Sequence, residues 1–449
     1  MKSTILYLLT LIAFSGCHKA FLEEPTSKSL VIPKTYQDLN ALLQSNMNSG
    51  AFFSMIADGD FDLTDEYLLL TAPVEKTTYL WKADIYETLK FHGAWRLPYL
   101  QILNTNVVLE GLKKLNTLDA SQQNLNTLKG NALFFRAMAY TELVLNFTPP
   151  YKPSEAQDQL GLPIRTSSNV SEIKQRSNLK ETMEFLLKDL QEASSLLPEK
   201  VSIISLPGKA AAYTLLSRTY LGMQEYDKSL TFAKEALKIQ SDLLDYNDIP
   251  LQLPFTFNDP FVSSNKEVLF YQGGETIMFV GKSAQLREEI YDSYQLNDLR
   301  KTRLFDNNRN FIGNYSGTNA IFSGITNSEA WLTAAECAAR LGKMEEALNY
   351  LNSLCKKRYD KTFTPYQSVN KKEILKWILE ERRKELITRS RWFDLRRLNL
   401  DPEFAVTLTR KYKGDIYTLP PNSSRYTFPI PSEEIDYSGI TQNVRNDND

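Results

Sequence analysis

Residues 209–239 read KAAAYTLLSRTYLGMQEYDKSLTFAKEALKI, and residues 328–358 read SEAWLTAAECAARLGKMEEALNYLNSLCKKR. Each segment predicts a helix, a short turn and a second helix, with the turns at 222–224 and 341–343. Small or apolar residues recur at the same offsets in both segments, namely Leu216, Tyr220, Ala233 and Ala236 in the first, and Ala334, Ala338, Leu351 and Leu354 in the second. Helices in a hairpin approach closely, so only small side chains fit between their ridges. We therefore expect Ala236 and Ala338 to lie at helix–helix contacts.

The spacing within each pair is that of a tetratricopeptide repeat, about 34 residues long. The two copies are separated by residues 246–327, a stretch rich in Phe, Tyr, Gly and Asn that predicts loops and short strands. Because tandem repeats normally stack, the insertion is expected to build a second face over a helical scaffold. Two unrelated amphipathic helix pairs remain the alternative.

Further helices are predicted at 95–115, 131–147, 179–197 and 371–389. Arg136 lies in the apolar helix 131–147, and a charge in such a helix must be paired, so we expect a carboxylate partner. The tail around Ile430 is expected to be extended, because Pro429 and Pro431 flank it. The fold class is mostly α, with a helical-repeat scaffold, long loop-rich insertions and short strands.

The N-terminus predicts export. MKSTILYLLTLIAFSGC at 1–17 has a cation at Lys2, a short apolar run and a small-residue cleavage site, as in a secretory signal peptide over residues 1–16. The apolar run is far shorter than the roughly 20 residues that span a bilayer. Cys17 after Ser-Gly resembles a bacterial lipobox, which predicts acylation of Cys17 and a polar tether over 17–35. An ordinary signal peptide that happens to hold a cysteine is the alternative.

The composition limits the classes of partner that the protein can bind. The formal net charge is −2, from 52 basic and 54 acidic residues, so no basic field attracts nucleic acid. Aromatic residues make up 11% of the chain and supply flat faces for stacking on sugars or peptides. Cys337 and Cys355 fall at apolar helical positions, which favours buried free thiols over a disulfide.

No catalytic, cofactor-binding or metal-binding constellation is evident in the sequence. The two histidines, His18 and His92, stand alone, which argues against a histidine triad or a multi-histidine metal site. GKS at 281–283 lacks the phosphate-loop glycine at position 276. DGDFD at 58–62 lacks the glycine and glutamate of a calcium-binding EF-hand, so a solvated acidic loop is favoured over another kind of calcium site. No spacing singles out the two carboxylates of a glycoside hydrolase, and hydrolysis is the minority hypothesis.

Residues 380–397, EERRKELITRSRWFDLRR, form the densest charged segment. Glu and Arg pairing at i,i+4 along one helix face predicts a structural lattice. A basic nucleic-acid helix is the alternative, but the glutamates neutralise it.

Several blocks in order make the chain resemble SusD/RagB-type lipoproteins of Bacteroidota over nearly its whole length. The blocks are FLEEPT at 21–26, GNALFFRAMAYTELVLNF at 130–147 followed by GLPI, PGKAAAYTLLSRTYLGMQEYDKSLTFA at 207–233, NSEAWLTAAECAARLG at 327–342, EERRKEL at 380–386, RWFDLRR at 391–397, YTFPIPSEEI at 426–435 and Gln442-Asn443. Arg136, Ala137 and Tyr140 carry the family's Arg-Ala-x-x-Tyr motif. Thr388-Arg389 departs from the Glu-Gly that is usual in the family.

The resemblance implies a single domain over residues 36–449, built on about four tetratricopeptide-like helix pairs. It implies docking on a SusC-like TonB-dependent outer-membrane transporter, at whose extracellular mouth such proteins act as lids. The implied ligand is a nutrient glycan, with RagB-like oligopeptide capture as the alternative. It also implies a lipid-anchored location on the outer membrane and no catalytic activity.

Candidate ligand residues are aromatic and acidic side chains outside the helical stripes. Tyr79 and Trp81 share a face if their segment is extended, although a core role for Trp81 is an equal alternative. Asp58 and Asp60 lie nearby in sequence and offer carboxylates to sugar hydroxyls. Tyr271 and Tyr291 are added only by the approximate position of ligand-binding loops in the family. Aromatics within the helical stripes are expected in the core, namely Trp95, Tyr99, Tyr140, Tyr220 and Trp377.

Overall fold

The computed structural model describes residues 33–44, 52–115, 120–251, 254–263, 265–274 and 283–447. The predicted signal peptide and Cys17 lie outside these residues. The α-helices of the described part are α1 Tyr36–Gln44, α2 Phe52–Ala57, α3 Asp65–Leu70, α4 Pro73–Tyr79, α5 Gly93–Leu112, α6 Gln122–Phe147, α7 Leu179–Leu196, α8 Lys209–Gly222, α9 Tyr226–Ile239, α10 Glu288–Ser293, α11 Arg300–Leu304, α12 Asn327–Arg340, α13 Met344–Cys355, α14 Lys371–Glu385, α15 Arg391–Leu398 and α16 Ser432–Ser438.

The longer helices build a stacked scaffold. Each of α5 to α8 packs on the helix that follows it along the chain, and α9 packs directly on α12, which contacts both α13 and α14. The two predicted repeats, α8–α9 and α12–α13, are therefore neighbours in space although the insertion separates them in sequence. The mostly α, tetratricopeptide-like architecture is confirmed.

The turns of the two repeats share one backbone conformation. Gln224 and Gly342 occupy equivalent positions with φ of 63° and 81°, the left-handed region. Glycine adopts this region without a steric penalty, whereas Gln224 does so at some cost. Gly222 leaves room for Phe393 on α15, because a Cβ there would lie 2.9 Å from Cε2 of that ring and the ring would have to shift.

The strands are short and form two-stranded antiparallel sheets. Their pairs are β1 Phe61–Leu63 with β6 Ala284–Leu286, β2 Leu160–Pro163 with β3 Arg176–Asn178, β4 Val268–Phe270 with β8 Ile325–Thr326, β5 Gly273–Gly274 with β7 Ile321–Phe322, and β9 Leu408–Tyr412 with β10 Asp415–Leu419. Five of the strands described, β4 to β8, lie wholly within the insertion, as predicted.

Three groups of buried apolar side chains form the core. One fills the scaffold around α5 to α8, one lies between α9, α12, α13 and α14, and the third supports the insertion. Ala236 and Ala338 are fully buried, and so are Cys337 and Cys355, which are free thiols. Trp95, Tyr140 and Tyr220 are buried as predicted, whereas Tyr99 and Trp377 are half-buried.

In the described part of the chain, no helix is long and apolar enough to cross a bilayer.

Arg136 has the carboxylate partner that the sequence requires. Its Nε and Nη2 donate hydrogen bonds of 2.7 and 2.8 Å to the two carboxylate oxygens of Asp189 on α7, and Nη1 donates one of 2.8 Å to Oδ1 of Asn106 on α5. The guanidinium thereby joins three consecutive scaffold helices.

Three boundaries differ from the sequence-based prediction. α6 begins at Gln122, because the side chain of Ser121 caps it by accepting a hydrogen bond from the main-chain N of Asn124. α14 ends at Glu385, and Thr388 beyond it has a φ of 68°. The tail is not extended throughout, since α16 follows directly after Pro431.

Candidate functional site

The structure corrects the placement of Tyr79 and Trp81. Tyr79 is the last residue of α4 and Trp81 has a φ of 53°, so their segment is not extended. Their exposed fractions are 2% and 1%. Trp81 Nε1 donates to the carbonyl oxygen of Ala57 at 2.9 Å, and the Tyr79 hydroxyl accepts from the main-chain N of Leu63 at 3.1 Å. The guanidinium of Arg410 stacks on both rings. Both are core side chains, and a ligand cannot stack on them.

Asp58 and Asp60 are buried as well, which corrects the expectation of a solvated acidic loop. Asp60 accepts hydrogen bonds of 3.0 and 2.6 Å from Arg383 on α14, and Arg391 lies 3.5 Å away. Burial and the charge of Asp60 raise the pKa of Asp58 to about 8. Asp60 therefore ties the loop after α2 to α14, and Asp58 is buried beside it and accepts a hydrogen bond of 2.9 Å from the main-chain N of Asp60, so neither side chain faces sugar hydroxyls. Among the described residues, no group of three or more His, Cys, Asp or Glu side chains is placed to hold a metal ion.

The two loop regions that were expected to share a ligand do meet in space. β1, from the first region, pairs with β6, from the insertion, and a common core lies beneath them. Half-buried aromatic rings pack against this core. We call them the loop face, formed by Tyr67, Tyr271, Tyr291 and Phe311, with Phe261 packed on Tyr271.

Tyr271 and Tyr291 are the two sequence-predicted candidates whose rings stay partly exposed. Phe261, itself 53% exposed, lies edge-on to Tyr271 with 4.7 Å between ring centres. Lys301 Nζ lies 4.5 Å from the centre of the Tyr291 ring. Apart from its place in a predicted loop, nothing in the sequence around Phe261 indicates that its ring is exposed beside Tyr271.

Charged side chains lie where β6 leads into α10. Arg287 Nε lies 2.7 Å from a carboxylate oxygen of Glu289 and 4.0 Å from one of Asp62. Arg309 lies 3.8 Å from Glu288. Partly exposed aromatic rings, together with carboxylates and guanidinium groups, are the groups that stack on a sugar and bind its hydroxyls.

A second concave surface lies on the first scaffold helix. This scaffold groove has a volume of about 260 Å³ between α5, residues 163–174 and α16, and Trp95, Tyr99 and Tyr437 supply its aromatic surface. Exposed apolar side chains line it, namely Leu100, Val170, Ile173 and Tyr437. The sequence placed Trp95 and Tyr99 in a helical stripe and Tyr437 in an extended tail, so it gave no indication of a groove.

The charged segment 380–397 is structural, but its partners are not mainly i,i+4 neighbours. Arg358 donates bonds of 2.8 Å to both oxygens of Glu385 and one of 2.7 Å to Glu267. Arg397 pairs with Glu336 on α12 and with Asp394. Burial alone would raise the pKa of Glu385, but Arg358 and Arg300 lower it to about 2. The segment is a buried network that joins distant elements.

His92 is a structural residue. Its Nδ1 caps α5 by accepting a hydrogen bond of 3.0 Å from the main-chain N of Ala94, and its ring stacks on Phe53. Burial lowers its pKa to about 4.

Family models match both parts of the chain. A SusD-like model described as "Starch-binding associating with outer membrane" matches residues 26–221, and the SusD family model matches residues 272–445. Together they cover most of the sequence. The chain belongs to the SusD/RagB family. A tetratricopeptide-repeat model also matches residues 210–243, the first predicted pair.

Solved structures share the fold of this SusD/RagB-family chain. A SusD superfamily protein from Bacteroides thetaiotaomicron is 22% identical with a TM-score of 0.71, over 92% of this chain and 100% of that one. A putative sugar binding protein from Bacteroides vulgatus is 22% identical with a TM-score of 0.72, over 92% and 99%. Surface glycan-binding protein A from Bacteroides uniformis is 15% identical with a TM-score of 0.69, over 91% and 98%. The comparison with curated proteins gives no match.

Proposed function

We propose that this SusD/RagB-family protein binds a nutrient glycan on its loop face. The observation that carries the proposal is the meeting of two loop regions over the scaffold, where the partly exposed rings of Tyr271 and Tyr291 pack against a common core and Arg287 and Glu289 lie close to Tyr291 in sequence. The pyranose C–H faces would pack on the rings, and the charged groups would take the hydroxyls. The names of the related sugar-binding and surface glycan-binding proteins support the same ligand class.

The remaining parts of the proposal concern location and partner. Residues 1–16 would be removed as a signal peptide, Cys17 would be acylated, and residues 17–35 would tether a single domain over 36–449 to the outer membrane. The protein would serve as the lid of a SusC-like TonB-dependent transporter. We assign the scaffold groove to this partner, since exposed apolar patches of this kind mark protein contacts. The proposal is for binding without catalysis.

Isothermal titration against a panel of oligosaccharides and a peptide mixture tests the ligand class. Once a glycan binds, Tyr271→Ala and Tyr291→Ala should each weaken it at least tenfold, about 1.4 kcal/mol, with the melting temperature kept. Tyr437→Ala in the scaffold groove is the matched control and should leave glycan affinity unchanged.

Two results would contradict the proposal. Binding of peptides alone would favour the oligopeptide alternative, and unchanged glycan affinity in both loop-face variants would remove the site. Hydrolysis products in either incubation would show catalysis.

A further inference from the structure

A cavity of about 150 Å³ lies where α6 ends, between α7, α8 and α15. Three methionines from separate elements line it, Met55, Met138 and Met183, and Phe393 from α15 adds a ring. We call it the methionine cavity. It belongs neither to the loop face nor to the scaffold groove.

The apolar walls fix the size and character of an occupant. An engineered apolar cavity of about 150 Å³ stays free of water and binds benzene. Methionine side chains are flexible and polarizable, so three of them adapt to a flat or an irregular apolar body. The cavity therefore suits a single ring or a short alkyl chain.

Charge distinguishes this cavity from an ordinary packing gap. Four arginines line it, Arg218, Arg389, Arg396 and Arg397, against two glutamates, Glu142 and Glu329. Arg218 pairs with Glu329 at 2.5 Å, and Arg397 pairs with Glu336 and Asp394 outside the cavity. Within the described part of the chain, Arg389 and Arg396 form no ion pair with a carboxylate, so two guanidinium groups of the lining have no carboxylate in contact with them.

Arg396 is buried, and among the described residues its guanidinium donates only to main-chain carbonyls. It donates to the carbonyl oxygens of Val144, Leu145 and Thr148 at the C-terminal end of α6. Burial lowers its pKa to about 9, and the negative end of the helix dipole compensates part of its charge. Arg396 thus contributes a positive potential to the cavity.

Arg389 is the half-buried arginine of the lining that has no carboxylate partner among the described residues, and its guanidinium also packs on the rings of Tyr315 and Phe322. Its Nη1 and Nη2 donate to the Thr326 hydroxyl at 3.0 Å and to the Glu385 carbonyl at 3.2 Å. It follows Thr388, whose φ of 68° is rare for a β-branched residue. Such strain persists where the surroundings over-determine the backbone, as at ligand clamps.

We propose that the methionine cavity binds a small carboxylate with an apolar body, such as a one-ring aromatic acid, with the carboxylate on Arg389 and the body between the methionines. This function is separate from glycan capture on the loop face, and it stands whether or not a glycan binds there.

Isothermal titration of the full chain with benzoate, benzamide and acetate tests the proposal. Benzoate should bind at least tenfold more tightly than neutral benzamide, which lacks the charge, and than acetate, which lacks the ring. Arg389→Gln should remove the preference for benzoate over benzamide. Arg165→Gln in the scaffold groove is the matched control, because Arg165 also donates to main-chain carbonyls, and it should keep that preference.

Met183→Phe provides an independent variant, because a larger and stiffer side chain reduces the cavity without changing its charge. It should weaken benzoate at least tenfold while the melting temperature is kept. Equal affinities for benzoate, benzamide and acetate would overturn the proposal, and so would benzoate binding that neither Arg389→Gln nor Met183→Phe changes.

Discussion

Replacing Arg136 by methionine tests the buried link between the first scaffold helices. Methionine keeps an unbranched apolar stem against Phe185 but leaves Asp189 buried without its two charge-assisted bonds. Both members of the pair are less than one-tenth exposed, at 8% and 4%. Burial already raises the pKa of Asp189, and the loss of the arginine removes the interaction that opposes this. Removing one partner of such a pair costs about 3–5 kcal/mol, and we expect Arg136→Met to lower the free energy of unfolding by that amount.

Urea denaturation at pH 7, followed by tryptophan fluorescence, measures this loss. The chain offers a matched control, since Lys129 and Glu192 also join α6 to α7 at 2.5 Å, but in solvent. Lys129→Met should cost less than about 1 kcal/mol. The double variant Arg136→Met/Asp189→Leu should recover most of the loss, because an apolar pair of similar volume often replaces a buried ion pair without penalty. A loss of unfolding free energy in Arg136→Met that is no larger than the loss in Lys129→Met would refute this expectation.

Other changes test separate features. Ala236→Leu and Ala338→Leu should each overpack a helix contact and cost roughly 1–3 kcal/mol, and unchanged thermal midpoints would contradict the packing. The pKa of Asp58 is about 8 when folded against an ordinary 3.8, so its contribution to stability is complete below about pH 4 and is lost as the pH rises to 8. Asp58→Asn should therefore flatten the dependence of unfolding free energy on pH over this range, and an unaltered slope would refute the assignment. Cys17→Ala should move the chain from the membrane fraction to the soluble fraction when no transporter is present, and retention would exclude the lipid anchor.

The scaffold could be predicted because its signals are local. The apolar period of 3.6 residues, the prolines after 147 and 197 and the alanines of the two repeats each act within one helix or one hairpin. Helix starts were less certain where the first turns are polar, as in Gln122–Gly130 of α6. There the cap on Ser121 decides the boundary, and a single hydroxyl gives a weak sequence signal.

The candidate site is harder to predict than the scaffold, because the exposure of a side chain depends on residues that lie far away in the sequence. The spacing of Tyr79 and Trp81 predicts that both side chains lie on one face of a strand. A spacing of two residues cannot distinguish a strand from the end of a short helix. Their burial depends on Arg410, and that of Asp60 on Arg383, both more than 300 residues away along the chain. Tyr271 and Tyr291 were placed through the family's loop positions, and their partial exposure agrees with that choice without testing it.

The charged segment of α14 shows how a local pattern can serve a distant purpose. Arg383 holds Asp60 beneath β1, Arg358 joins Glu267 of the insertion to Glu385, and Arg300 of the insertion binds Glu381. Buried ion pairs add little net stability, because desolvation offsets their attraction, but they require one geometry. We infer that this network fixes the position of the loop face on the scaffold. Its glutamates and arginines resemble a solvent-exposed helix in sequence, because the partners that bury them lie in the insertion and near the N-terminus.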